Sequence, residues 1–140
     1  MGNASGLSSE DFGKLILRFA VGGLLLFHGI SKLMHGISWM MPMLAKAGLP
    51  AALAYGVYVG EVVAPVLIIV GLWTRPAALI VAIDLLMAIA LVQRDKILTV
   101  SEMSGGWSIE LEAFYVLAAL ALMFMGGGRC GFGQGKGRLN

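Results

Sequence analysis

Four stretches of this chain approach the thickness of a bilayer's hydrocarbon core with almost no charge inside them, and that limits the fold more than any motif. Residues 12–30 are interrupted by Lys14, Arg18 and His28, residues 51–73 by Glu61 alone, and residues 76–92 by Asp84 alone, while residues 109–126 keep Glu110 and Glu112 in their first turn. A hydrocarbon core roughly 30 Å thick takes about 20 helical residues, with latitude for tilt and local thinning. In 140 residues, of which 59% are apolar and 13% charged, a water-soluble fold has no interior large enough to hide these segments. The expected fold class is all-α: an integral membrane four-helix bundle with four transmembrane helices and both termini on the same side. Its spans fall at about 13–31, 51–73, 76–93 and 109–126. The expected transmembrane domain is 13–126, between an N-terminal tail (1–12) and a flexible, basic, Gly-rich tail (127–140).

Other classes fall away on composition. The lone Cys130 makes no intrachain disulfide, and no CxxC or Cys/His ligand set is present, so no metal site is expected. A net charge of +2 is too small to suggest a nucleic-acid partner. The first span is read as a retained helix rather than a signal peptide, because Glu10 and Asp11 precede it and Lys32 and His35 follow it. Gly6 stands at the position where a myristoylation signal prefers Ser or Thr.

Connections are legible from turn chemistry. Gly48-Leu49-Pro50 closes one segment and opens the next, and residues 71–76 form a tight link that makes spans two and three antiparallel neighbours. Leu33, Met34, Ile37, Met40, Met41 and Leu44 recur at helical spacing around Trp39, as in a short interfacial helix kinked or divided by Pro42. Trp39, Trp73 and Trp107 fall where an aromatic belt would lie. Lys14, Arg18, Arg75, Arg129, Lys136 and Arg138 outnumber Lys32, Lys46, Arg94 and Lys96 across the bundle, which puts both termini in the cytoplasm.

Charges within spans are costly, on the order of 2.5–3.5 kcal/mol at mid-helix on insertion scales, so Glu61 and Asp84 should face the bundle interior, paired or protonated. The first span supplies bases. Arg18, Gly22, Leu25, Gly29 and Lys32 share one face, with His28 a turn before Lys32. Antiparallel packing would set Glu61 between Arg18 and His28 and Lys32 beside Glu110, with Gly56, Gly60 and Ala64 allowing close approach. The same charges also read as structural glue, with Arg18 pairing Glu61. Glu112 reads as a helix-terminal acid, and the methionines at 34, 40, 41 and 43 as lipid or core contacts. In the tail, Gly126, Gly128 and Gly131 match GxGxxG by spacing, but a membrane helix precedes them, so no nucleotide fold is implied.

The pattern LRFAVGGLLLFHGISKL, then AGLPAALAYGVYVGEVVAPVLIIVGLWTR, then GGWSIELEAF and a terminal GGGR, resembles the DoxX family of small bacterial membrane proteins over about residues 14–130. The shared positions are Arg18, His28, Gly29, Lys32, Glu61, Gly71, Thr74, Arg75 and Glu110. The resemblance implies a four-helix protein of the bacterial inner membrane. Its name-giving relatives are associated with sulfur oxidation as a membrane subunit of a thiosulfate:quinone oxidoreductase, and others with thiol and oxidative-stress defence. The ending Cys130-Gly131-Phe132-Gly133 departs from the family's usual Ser-Leu-Asp-like stretch.

The expected function is the membrane component of a redox system, linked to quinone or to thiol and sulfur chemistry. Glu61 and His28 are the candidate catalytic groups, with Arg18, Lys32, Glu110 and Asp84 binding a quinone headgroup or a small sulfur anion. No covalently bound cofactor is expected; a quinone would come from the lipid. Expected partners are the lipid bilayer, a soluble or membrane redox partner, and a second copy of the chain in a homo-oligomer. The alternatives are a non-enzymatic scaffold or assembly subunit and a proton-coupled small-molecule transporter.

Overall fold

Ser8 starts the first helix: its hydroxyl accepts the Asp11 N–H at 3.2 Å while the Asp11 carboxylate accepts the Ser8 N–H at 3.0 Å, a reciprocal capping box. From there α1 (Ser9–His35) runs 27 residues until Gly36, at φ +80°, turns the chain out of the helix. The structure is a computed structural model and describes residues 6–140; part of the expected N-terminal tail, and most of the stretch weighed as a myristoylation signal, lie outside the described residues.

A single turn at Ser38–Met40 leads into α2 (Met41–Lys46), with Pro42 in its first turn, so the proline starts a helix rather than kinking one. Then come α3 (Ala51–Val70), α4 (Thr74–Val92) and α5 (Glu110–Met125). The α3–α4 link is tight because Gly71 takes a left-handed conformation, followed at Trp73 by a second positive φ. The protein is all-helical. Among the described residues there is no strand, only an isolated bridge between Val100 and Trp107 in the α4–α5 loop. Three helices, α1, α3 and α4, are long and apolar enough to cross a membrane; α5 has 16 residues.

The packing suits lipid rather than water. Helix α4 packs most extensively against α5 and also against α3, which in turn packs on α1. The shared interior sets six alanines, Ala64, Ala77, Ala78, Ala82, Ala118 and Ala119, among larger side chains such as Leu25, Ile68, Val81, Leu85, Val116 and Leu122. The bulky residues Phe12, Ile16, Phe27, Ile83, Phe114, Leu117 and Phe124 face outward. Between lipid-solvated helices close backbone approach is the available source of association, and small residues at the contact provide it.

Two π-turns set which residues face inward. Phe19–Gly23 in α1 and Val59–Val63 in α3 are π-turns, each adding a residue and rotating the face that follows. In α3 the cause is local: Pro65 has no N–H to offer the Glu61 carbonyl and its ring would clash with it, so the helix widens there. Gly29 of α1 lies against that same carbonyl, and a side chain there would overlap it.

Residues 127–140, read from the sequence as a flexible tail, are laid across the base of the bundle. Arg129 Nε sits 3.0 Å from Asp11 Oδ2, the Phe132 and Gly133 N–H groups donate to the Val70 and Gly71 carbonyls at 3.1 and 2.9 Å, and the Arg75 N–H donates to the Leu139 carbonyl at 3.1 Å. Glycine makes this docking feasible rather than preventing it. Gly131 and Gly71 touch backbone to backbone, and a Cβ on Gly131 would come 2.9 Å from the Gly71 Cα.

Candidate intramembrane site

The last turn of α1 aims Lys32 at the widened turn of α3, where Lys32 Nζ lies 2.5 Å from Glu61 Oε1. Gly29, one turn earlier, lets α3 come close enough for this bond to form. Glu61 is 3% exposed, and its second oxygen, Oε2, has no hydrogen-bond partner. Asp84 of α4 packs over Gly60, in the space a side chain there would occupy, and its Oδ2 is also buried without a partner. Asp84 and Lys32 also line one space, and Gly60 is the immediate neighbour of Glu61. Lys32, Glu61 and Asp84 thus come from three helices to one place.

A cavity of about 190 Å³ opens beside Glu61, walled by His28, Lys32, Trp39, Leu85, Gln93, Glu112 and Tyr115 among others. His28 Nδ1 lies 3.2 Å from the Leu24 carbonyl; since a carbonyl only accepts, this bond assigns the proton to Nδ1 and leaves Nε2 an acceptor. A second, larger space of about 380 Å³ lies between α3 and α4, with Asp84, Lys32 and Trp39 in walls that are otherwise apolar, including Val57, Ile80, Met87 and Leu91. Its rim residues Val59 and Ile83 belong to the outward-facing surface. Lys32 and Trp39 stand in the walls of both spaces.

Two expected site residues lie elsewhere. Arg18, 1% exposed, makes no pair with Glu61: its guanidinium donates to the carbonyls of Ile68 (2.8 Å), Ile69 (2.6 Å), Gly127 (3.0 Å) and Cys130 (2.9 Å). The last turn of a helix leaves carbonyls without partners, and the end of α3 presents them at the level Arg18 reaches. Glu110 is exposed, its carboxylate lies over Gly106, and it is absent from the walls of both spaces. The acid on α5 that joins the cavity is Glu112, hydrogen-bonded by the Gln93 side-chain amide at the end of α4. By sequence position Glu112 reads as a helix-terminal acid, and nothing there singles out Gln93 or Tyr115, yet all three line the cavity. The available signal was the spacing of Glu112 and Tyr115, three apart on one face of α5.

The DoxX family profile matches residues 13–94, which hold α1, α3, α4 and their charged cluster. The chain belongs to the DoxX family. A Bacillus subtilis (strain 168) protein named "Putative oxidoreductase CatD" is 33% identical over 85 residues, covering 61% of this DoxX chain and 63% of that protein, so the match spans a little under two thirds of the relative. No solved structure matches the chain. Family membership and the apolar helices make it a membrane protein.

Proposed function

We propose that this DoxX chain is the membrane component of a redox system whose cavity beside Glu61 takes a quinol headgroup. One observation carries the reading: a carboxylate 3% exposed, in the wall of a cavity, keeps an oxygen with no hydrogen-bond partner. A buried acceptor in that state costs free energy until a donor reaches it. A quinol hydroxyl is such a donor, and it dissolves in the same bilayer. Charge favours a neutral ligand over a small sulfur anion, because Lys32 is already answered by Glu61 while Glu112 adds a second carboxylate to the wall. His28, with Nε2 free to accept, is placed in the same wall to take a proton.

A bound quinone supplies two-electron, two-proton chemistry, and the electrons would pass to or from a partner protein. In the proposed topology the chain crosses a bacterial inner membrane four times with both termini cytoplasmic. Helix α5 would span about 24 Å at 1.5 Å per residue, which a locally thinned or tilted bilayer accommodates. The Asp11–Arg129 pair, which sets the start of α1 beside the segment after α5, supports termini on one side. A scaffold role has support at the opposite end of the bundle, where Arg18 donates four hydrogen bonds to backbone carbonyls.

The test is titration of the full-length protein in liposomes with a short-chain quinol. Saturable binding that weakens at least tenfold in Glu61→Gln and is not displaced by thiosulfate supports the reading. Absence of binding to the wild-type protein, or equal binding by the variant, overturns it.

A further inference from the structure

We infer that Lys32, Glu61 and Asp84 act as one unit holding a single exchangeable proton between the two carboxyl groups, with Lys32 pairing whichever of them is ionised. This goes beyond the quinol reading and holds whatever the cavity binds.

The argument is one of charge count and burial. Three helices bring one ammonium and two carboxyl groups together, and each acid has one buried oxygen without a partner, Oε2 on Glu61 and Oδ2 on Asp84. If both acids were ionised, one ammonium would answer two negative charges in surroundings that solvate neither. No second cation is at hand. Among the described residues Lys32 is the only lysine or arginine in the walls of either space. The neighbouring groups do not help: His28 of α1 is bonded to its own helix, Glu112 and Tyr115 of α5 add no positive charge, and Tyr58 of α3 donates to the Lys32 carbonyl at 3.3 Å. One carboxyl group therefore keeps its proton.

The geometry lets the proton change owner. Lys32 stands in the wall shared by the Glu61 cavity and the Asp84 space, on a flexible four-carbon stem. As found, the pair is Lys32 with Glu61, so Asp84 holds the proton. When a proton reaches Glu61 from the cavity, its carboxylate becomes neutral, Lys32 is released toward Asp84, and the Asp84 proton leaves. One proton enters on α3 and one departs from α4. Lysine stays an ammonium throughout, and no electrons move.

The experiment is infrared spectroscopy of the full-length protein in liposomes at neutral pH, reading the carbonyl stretch of protonated carboxylic acids with its H/D shift. Wild-type protein should show one buried protonated carboxyl. The band should be lost in Asp84→Asn and also in Glu61→Gln, because in either variant the remaining acid is ionised against Lys32. Lys32→Met should double the band, both acids then being neutral. A band that survives in Glu61→Gln would make Asp84 a lone buried acid and overturn the sharing. A wild-type protein without the band, or a Lys32→Met protein with an undoubled one, would overturn it even if Glu61→Gln failed to fold.

Discussion

Lys32 of α1 meets Glu61 of α3 at 2.5 Å, and only one of the two Glu61 oxygens takes part. The bond ties two helices that are otherwise joined by Arg18 on the Ile68 and Ile69 carbonyls, by Tyr58 on the Lys32 carbonyl and by glycine packed on backbone and aliphatic side chains.

Removing both acids strands Lys32: Glu61→Ala combined with Asp84→Asn should destabilise the protein by on the order of 3–5 kcal/mol, because Lys32 is left charged and largely buried, whereas Glu61→Ala alone should cost less because Asp84 can take over the ammonium. The double exchange Lys32→Met with Glu61→Met should recover most of that stability, since a well-packed apolar pair replaces a buried ion pair at little cost. Thermal unfolding in detergent reads both, and quinol binding separates the roles: the double variant should be stable yet unable to bind. Restored binding along with restored stability would make the pair purely structural.

Arg18 should behave as a clamp. It is fully buried and satisfies carbonyls on α3 and on the C-terminal segment at once. Arg18→Met would take a donor from each of these carbonyls, Ile68 keeping only the Gly71 N–H, and cost on the order of 3–5 kcal/mol. It should also expose the segment after α5, so trypsin would cut at Arg129 and Lys136 well before it attacks the helices. Unchanged cleavage there would show that the segment is held by its own hydrogen bonds and by Asp11.

Glycines within one helix should differ sharply. A methyl group at Gly29 would overlap the Glu61 carbonyl, so Gly29→Ala should push α1 from α3, cost about 1–3 kcal/mol and break the Lys32–Glu61 bond. Gly13 has nothing within 4 Å of a built Cβ, and Gly13→Ala should stabilise α1 by about 0.5–1 kcal/mol. Paired melting curves decide this, and equal effects would refute the close approach.

The sequence displays what depends on one segment at a time. Apolar runs long enough to cross a bilayer, and lone charges within them, need no knowledge of neighbours, which is why Lys32, Glu61, Asp84 and His28 stand out as candidates from the sequence. Their pairing was not. Register between α1 and α3 depends on π-turns that rotate Glu61 and Lys32 relative to an unbroken helix, and only the Pro65 that follows hints at one of them. Charge pattern alone pairs Arg18 with a carboxylate, whereas the folded chain offers it carbonyls at the end of α3. A glycine-rich ending reads as flexible, yet here missing side chains are what allow backbone to lie on backbone.

The two acids at the start of α5 give a test in which sequence and structure disagree. Glu110 is exposed and folds over Gly106, so Glu110→Gln should change stability by no more than about 0.5 kcal/mol and leave ligand binding intact. Glu112 is partly buried, holds the Gln93 amide and lines the cavity. Glu112→Leu removes the acceptor for Gln93 and a carboxylate from the wall, and should weaken quinol binding about tenfold, or roughly 1.4 kcal/mol. The same liposome titration measures both variants. If Glu110→Gln abolished binding and Glu112→Leu left it untouched, the ligand would sit where the spacing of charges first suggested, beside Glu110, and the cavity below Trp39 would be only a packing gap.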